Sequence, residues 1–140
     1  MTTNYPRRTI DYPVFGINTY SAVLAQNGFV EISCPSGPGE FLWVSSIDWN
    51  LSSALYYDMH FHMTIDGLAI IDSVWRDVLL MPLNYDSHSL FAFNEISLSP
   101  YQASAFAVKA PYESSCVIRF INPVAGNLAI AGSVCSRRGA

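Results

Sequence analysis

The chain has 140 residues, of which 51% are hydrophobic and only 13% charged, and its formal net charge is −4. This composition excludes intrinsic disorder, collagen and coiled coil, and the acidic balance disfavours a nucleic-acid partner. One domain of this length folds without a metal or disulfide staple. The low charge implies contiguous apolar surface, so we predict an oligomer.

The first 18 residues are predicted to form an extended arm, followed by a β-sandwich domain over residues 19–140. Pro6 and Pro13 interrupt any regular element, and the N-terminus has no apolar stretch of the secretory type. The arm carries the predicted partner-binding residues: Tyr5, Arg7, Arg8, Tyr12 and Phe15. A frayed terminus is the alternative interpretation.

Beyond the arm, the sequence is typical of strands separated by turns. Residues 29–34 alternate and stop at the Pro- and Gly-rich segment 35–39. Residues 41–49 are aromatic and β-branched, with a bulge expected at 45–46. A helix is not expected, and residues 21–26 form at most one short turn.

The clearest local pattern is a hairpin. Residues 57–65 alternate, with the apolar side chains facing one way and Asp58, His60 and His62 the other. Asp66-Gly67 is the two-residue type I′ turn signal, and a return strand begins at Leu68.

Five further segments resemble strands: 74–80, 89–98, 103–109, 116–121 and 128–134. No window sustains a helical apolar stripe. About eight strands separated by turns predict an all-β fold, an antiparallel β-sandwich or jelly roll.

His60-Phe61-His62 is the strongest candidate for chemistry. Two imidazoles at positions i and i+2 of a strand share one face, which suits a metal. The pair resembles the first cupin motif, with Asp66 standing in for the acidic ligand, although the turn also claims Asp66. The simpler interpretation is that both histidines form the polar face of a half-solvated strand. We therefore predict no metal and no cofactor, with a cupin-like metal protein as an alternative.

Other catalytic and binding motifs are missing from the sequence. There is no serine nucleophile elbow and no phosphate-binding loop. Cys34, Cys116 and Cys135 are odd in number and form no CxxC pair, which favours free thiols in a protein made in a reducing cytoplasm. We expect the aromatic residues around Trp43 and Trp49 to fill the core and a subunit interface rather than a sugar site.

The order of segments resembles the small β-sandwich proteins of tailed-phage virions, of the capsid decoration (cement) or head-fibre type. The resemblance covers about residues 28–134 and includes the segments Phe-Leu-Trp-Val-Ser-Ser-Ile and Val-Ile-Arg-Phe-Ile. It implies a homotrimer that binds the major capsid protein or another virion protein through a terminal arm.

We therefore expect a non-enzymatic structural protein of the virion, made in the host cytoplasm, with no membrane or nucleic-acid partner. A second hypothesis is a receptor- or glycan-recognition module of a phage tail or fibre.

Overall fold

The computed structural model describes residues 14–49, 53–79, 96–98 and 101–138. This part of the chain holds nine strands: β1 (Val14–Leu24), β2 (Phe29–Ser33), β3 (Gly39–Asp48), β4 (His60–Ile65), β5 (Leu68–Val74), β6 (Ile96–Leu98), β7 (Tyr101–Tyr112), β8 (Cys116–Ile121) and β9 (Leu128–Arg138). It also holds two short helices, α1 (Ser53–Asp58) and α2 (Trp75–Leu79). The predicted all-β class is confirmed.

The strands form two antiparallel sheets. One has five strands in the order β1-β9-β3-β7-β6, and the other has four in the order β2-β8-β4-β5. The pairing is nested, because β4 pairs with β5, β3 with β7, β2 with β8 and β1 with β9. A chain paired in this way is one long hairpin folded over itself, which is the jelly-roll form of the β-sandwich.

Aromatic rings fill the space between the sheets. Phe61 from β4 and Phe120 from β8 lie with their ring centroids 5.3 Å apart, and the indole of Trp75 is 5.2 Å from each of them. Phe106 from the opposite sheet contacts Phe61 edge-on. All four rings are buried, so hydrophobic burial across this layer holds the two sheets together.

A buried hydrogen-bond network fastens both helices to the five-stranded sheet. The indole N–H of Trp75 donates to Ser104 Oγ at 2.9 Å. The Tyr56 hydroxyl contacts the same Ser104 Oγ and donates to the Ser46 carbonyl at 2.9 Å. The polar atoms of the Trp75, Tyr56 and Ser104 side chains are thus hydrogen-bonded inside an otherwise apolar layer.

The predicted hairpin is confirmed at its turn. Asp66 and Gly67 have positive φ angles of 51° and 84°, and Ile65 pairs directly with Leu68. Two positive φ angles define a type I′ turn, which is the reason for the Asp-Gly signal. The strand begins at His60, however, because the preceding residues 53–58 form α1.

Three strand predictions need correction. Residues 75–79, predicted as part of a strand, form α2, with Trp75, Val78 and Leu79 buried at helical spacing. The bulge in β3 lies between Phe41 and Trp43 rather than at 45–46. The strand predicted at 103–109 runs from Tyr101 through Pro111 to Tyr112.

The boundary of the predicted arm also moves. Residues 14–18 belong to β1, paired in register with Val134 to Arg138 of β9. Residues 21–24, considered as a short turn, are the second half of the same strand. Residues 1–13 lie outside the described part of the chain.

Asp66 ties the tip of the hairpin to the loop between β7 and β8. Its carboxylate accepts hydrogen bonds from the backbone N–H groups of Glu113, Ser114 and Ser115 and from the Ser114 hydroxyl, at 2.7–3.0 Å. These donors, the Glu113 N–H foremost, hold the pKa of Asp66 well below its usual range.

This lowered pKa predicts a loss of stability in acid. The carboxylate stabilises the fold fully above the unfolded-state pKa of about 3.9, and that contribution falls as the pH drops below it. Asp66→Asn keeps a residue that tolerates positive φ but weakens the acceptor set. We expect the variant to have a lower Tm at neutral pH and a shallower decline of Tm in acid. Asp77→Asn, at an exposed aspartate of α2, is the control, and equal acid profiles for the Asp66 variant and the wild type would contradict the assignment.

Candidate functional site

The outward side of β1 exposes apolar side chains at the edge of the five-stranded sheet. Phe15, Ile17 and Val23 are 56–69% exposed. Thr19 and Ser21, which share that side of the strand, are exposed as well. We call these five residues the β1 face. Since the inward residues Tyr20 and Leu24 are buried, alternation along the strand sets the face apart from the core.

The β1 face continues onto neighbouring strands at one end. Val23 pairs with Ala129 of β9, and the backbone N–H of Trp49 donates to the Ala129 carbonyl at 2.8 Å. The Trp49 side chain is half exposed. Within the described residues β1 has only β9 as a strand partner, so its other edge is a template for pairing.

The predicted partner-binding residues divide between two regions. Phe15 lies on the β1 face, whereas Tyr5, Arg7, Arg8 and Tyr12 lie outside the described residues. Ile17 and Val23 were not predicted as contacts, because Ile17 was assigned to the arm and Val23 to the possible turn at 21–26, whereas both lie in β1. The pattern that could have identified them is an alternation with a period of two, which starts at Phe15 and places exposed residues at odd positions and the buried ones at even positions.

His60 and His62 both face away from the core on β4. Phe61 and Met63, between and after them, are buried, and the two imidazole ring centroids lie 6.4 Å apart. Asp72 on β5 pairs with His62, and its Oδ1 lies 3.0 Å from His62 Nε2. One ligand atom from each of the three residues lies within 4.8 Å of the other two. We call His60, His62 and Asp72 the histidine cluster.

A bulge in the hairpin creates this cluster. Counting back from the two-residue turn places Ile71 opposite His62 and Asp72 opposite the buried Phe61. The register shifts between Met63 and Thr64, however, so that Asp72 lies opposite His62. The extra residue in β5 thus turns Asp72 from the core side to the outer side.

Arg119, a charged neighbour of the histidine cluster, is already paired with Glu31. Arg119 on β8 lies next to His62 in the ladder. Its Nε and Nη2 atoms donate to one carboxylate oxygen of Glu31 at 3.1 and 2.5 Å, and its guanidinium lies 4.4 Å from the Phe29 ring centroid. Since Glu31 balances Arg119, the Asp72 carboxylate leaves the cluster attractive to a cation.

The cupin-like alternative rests on His60 and His62, with Asp66 as the acidic ligand. The histidines lie on the outer side of the four-stranded sheet, and the aromatic layer fills the interior. The Asp66 carboxylate already accepts four hydrogen bonds from the loop between β7 and β8. His88, the remaining histidine, lies outside the described residues.

The aromatic residues near Trp43 do not form one exposed platform. Tyr56 is buried in the core, Trp43 and Tyr57 are half-buried, and Trp49 is half exposed. Stacking on a sugar ring needs an accessible aromatic face, which in this group Trp49 offers most.

The three cysteines are free and buried. The Cys34 backbone N–H donates to the Cys116 carbonyl at 2.9 Å, which sets the two residues opposite each other at the end of the β2–β8 ladder. The side-chain hydrogen bond to Cys34, together with burial, raises the pKa of the Cys116 thiol well above its usual range. Cys116 is therefore poorly suited to act as a thiolate nucleophile.

Comparison of the chain with protein-family models and with curated proteins finds no match. Neither described helix has the length and apolarity needed to cross a bilayer.

Proposed function

We propose that this protein is a non-enzymatic structural protein that assembles into a homotrimer through the β1 face. The observation that carries the proposal is the exposure of Phe15, Ile17 and Val23 on one side of an edge strand. Phe15 and Ile17 are neighbours on this side of the strand, and Val23 lies beyond Thr19 and Ser21. Apolar side chains exposed in such a position favour an interface over solvent. The biological setting follows from the sequence resemblance: the outer surface of a tailed-phage capsid, with a capsid or other virion protein as partner.

The fold alone does not select this function. Jelly rolls occur in viral capsid proteins, in lectin domains and in cupins. The choice among these functions therefore has to rest on the features of the protein surface. The aromatic layer fills the interior, and one exposed tryptophan is a small platform for a glycan. The β1 face is the larger apolar feature, and it adjoins the arm for which partner contacts are predicted.

A second copy of the chain is the occupant that we propose for the β1 face. A three-fold arrangement requires a heterologous contact, in which the face of each copy packs on a different surface of the next copy. β1 begins at Val14, one residue before the first apolar residue of the face. We expect the preceding residues, which carry the predicted partner contacts, to bind the same neighbouring subunit as the face.

Native mass spectrometry of the full chain tests the assembly. We expect a trimer, and we expect the variant with Phe15→Ser, Ile17→Thr and Val23→Thr to be monomeric at the same concentration. Losing about 1 kcal/mol at each position weakens association by roughly 100-fold, since each 1.4 kcal/mol is a factor of ten.

The matched control is Leu68→Thr with Ile70→Thr, which removes similarly exposed apolar side chains from the four-stranded sheet. It should remain trimeric. A monomeric wild type would overturn self-association, and a dimer would overturn the three-fold arrangement. The virion setting predicts many copies of the chain in purified phage particles, and their absence from such particles would refute it.

A further inference from the structure

We propose that His60, His62 and Asp72 form a binding site for a divalent transition metal ion of the Zn²⁺ class on the outer side of the four-stranded sheet. The inference goes beyond the proposed assembly function and does not depend on it. It rests on two imidazoles from one strand and a carboxylate from the next, whose ligand atoms lie within 4.8 Å of one another.

The donor set favours zinc-like ions over calcium or magnesium. Imidazole nitrogen suits Zn²⁺, Ni²⁺ and Cu²⁺, whereas Ca²⁺ and Mg²⁺ take oxygen ligands almost exclusively. A set of three protein ligands leaves one tetrahedral position for water or for a group from a partner.

The present spacing is close to that of a loaded site. Ligands at about 2.0–2.2 Å from Zn²⁺ in a tetrahedron lie about 3.3–3.6 Å from one another. The pair formed by His62 Nε2 and Asp72 Oδ1 is already at 3.0 Å. His60 needs to move toward this pair, and its half-buried, outward-facing ring can do so by side-chain rotation without opening the core.

The surroundings support a cation. Asp72 supplies a negative charge, and its side chain is 64% exposed, so an ion can reach it from solvent. Arg119, the neighbour of His62 in the ladder, directs its guanidinium to Glu31 on the far side of β8. The bulge that sets Asp72 opposite His62 is therefore the structural feature that completes the site.

The test is calorimetric titration of the chelator-treated full chain with Zn²⁺, with native mass spectrometry to count ions per chain. We expect one Zn²⁺ per chain, no saturable binding of Ca²⁺, and a higher Tm with Zn²⁺ present. His62→Ala and Asp72→Asn should each weaken binding by more than about 100-fold, because even the loss of an outer-shell partner costs roughly 10–100-fold.

The matched controls are His88→Ala, which removes the remaining histidine of the sequence, and Asp77→Asn, which removes an exposed aspartate from α2. Both should bind as the wild type does. The unfolding transition of each variant without metal shows whether it is folded. No saturable Zn²⁺ binding, or equal binding by the folded Asp72→Asn and wild-type proteins, would overturn the site and leave only an imidazole–carboxylate hydrogen bond.

Discussion

Replacing Trp75 with alanine is expected to lower the free energy of unfolding by about 3–5 kcal/mol. The indole is completely buried between Phe61 and Phe120, and its removal leaves a cavity in the layer that joins the sheets. It also removes the hydrogen bond from Trp75 Nε1 to Ser104 Oγ. Since small domains unfold with about 5–15 kcal/mol, the variant loses a large part of its stability.

Urea unfolding followed by circular dichroism measures this loss without relying on tryptophan emission. Trp75→Phe should lie between the wild type and the alanine variant, because it keeps a ring but loses the N–H donor. Trp49→Ala is the matched control, since this tryptophan is half exposed at the end of β3, and its effect should stay at about 1 kcal/mol. Equal losses for Trp75→Ala and Trp49→Ala would contradict the role given to the aromatic layer.

Gly132→Ala is expected to destabilise the protein by about 3 kcal/mol, although it adds a single methyl group. A Cβ at this position in β9 would overlap the Ser45 carbonyl oxygen and lie 2.9 Å from the Tyr20 hydroxyl oxygen. The Tyr20 hydroxyl crosses above Gly132 to donate to that carbonyl at 2.8 Å. Overpacking costs about 1–3 kcal/mol, and the lost hydrogen bond adds about 1 kcal/mol.

Gly16→Ala is the matched control on β1, because a Cβ there meets its nearest neighbour at an ordinary 3.8 Å. Tyr20→Phe alone should cost about 1 kcal/mol. Combined with Gly132→Ala, it should cost less than the sum of the two single changes, since both disrupt one crossing. Thermal and urea unfolding measure all four variants, and a Gly132 variant as stable as the Gly16 variant would refute the packing argument.

The sequence was a good guide wherever a local rule dictates the backbone. Asp66-Gly67 specifies positive φ at both turn positions, so the turn of the hairpin could be placed to the residue. The alternation in β8 matches its burial, with Cys116, Ile118 and Phe120 buried. Such patterns depend only on neighbours along the chain, and for that reason they can be read directly.

The helix α2 was missed because it is too short for a periodic signal. Its buried residues Trp75, Val78 and Leu79 have helical spacing, but five residues give only one turn. The apolar residues around it fit a buried strand equally well. Packing of the indole against Phe61 and Phe120 decides between these readings, and those partners are distant in sequence.

The histidine cluster was half predicted. His60 and His62 share a face by simple alternation, but Asp72 reaches them through the bulge after Met63. Regular pairing from the turn would have turned Asp72 toward the core. The sequence carries no local mark of the extra residue, so the third member of the cluster could be found only from the register.

The nested pairing of the strands has a consequence for the order of folding. The loop that each pair closes lengthens outward, from the two residues between β4 and β5 to the whole span between Leu24 and Leu128. Closing longer loops costs more entropy, and such distant pairing slows folding. On this basis the chain zips from the Asp66-Gly67 turn outward, and β1 joins last. Until β9 has been synthesised and has folded, β1 has no strand to pair with. Nascent chains on the same polysome are therefore the molecules most prone to pair wrongly with one another through β1.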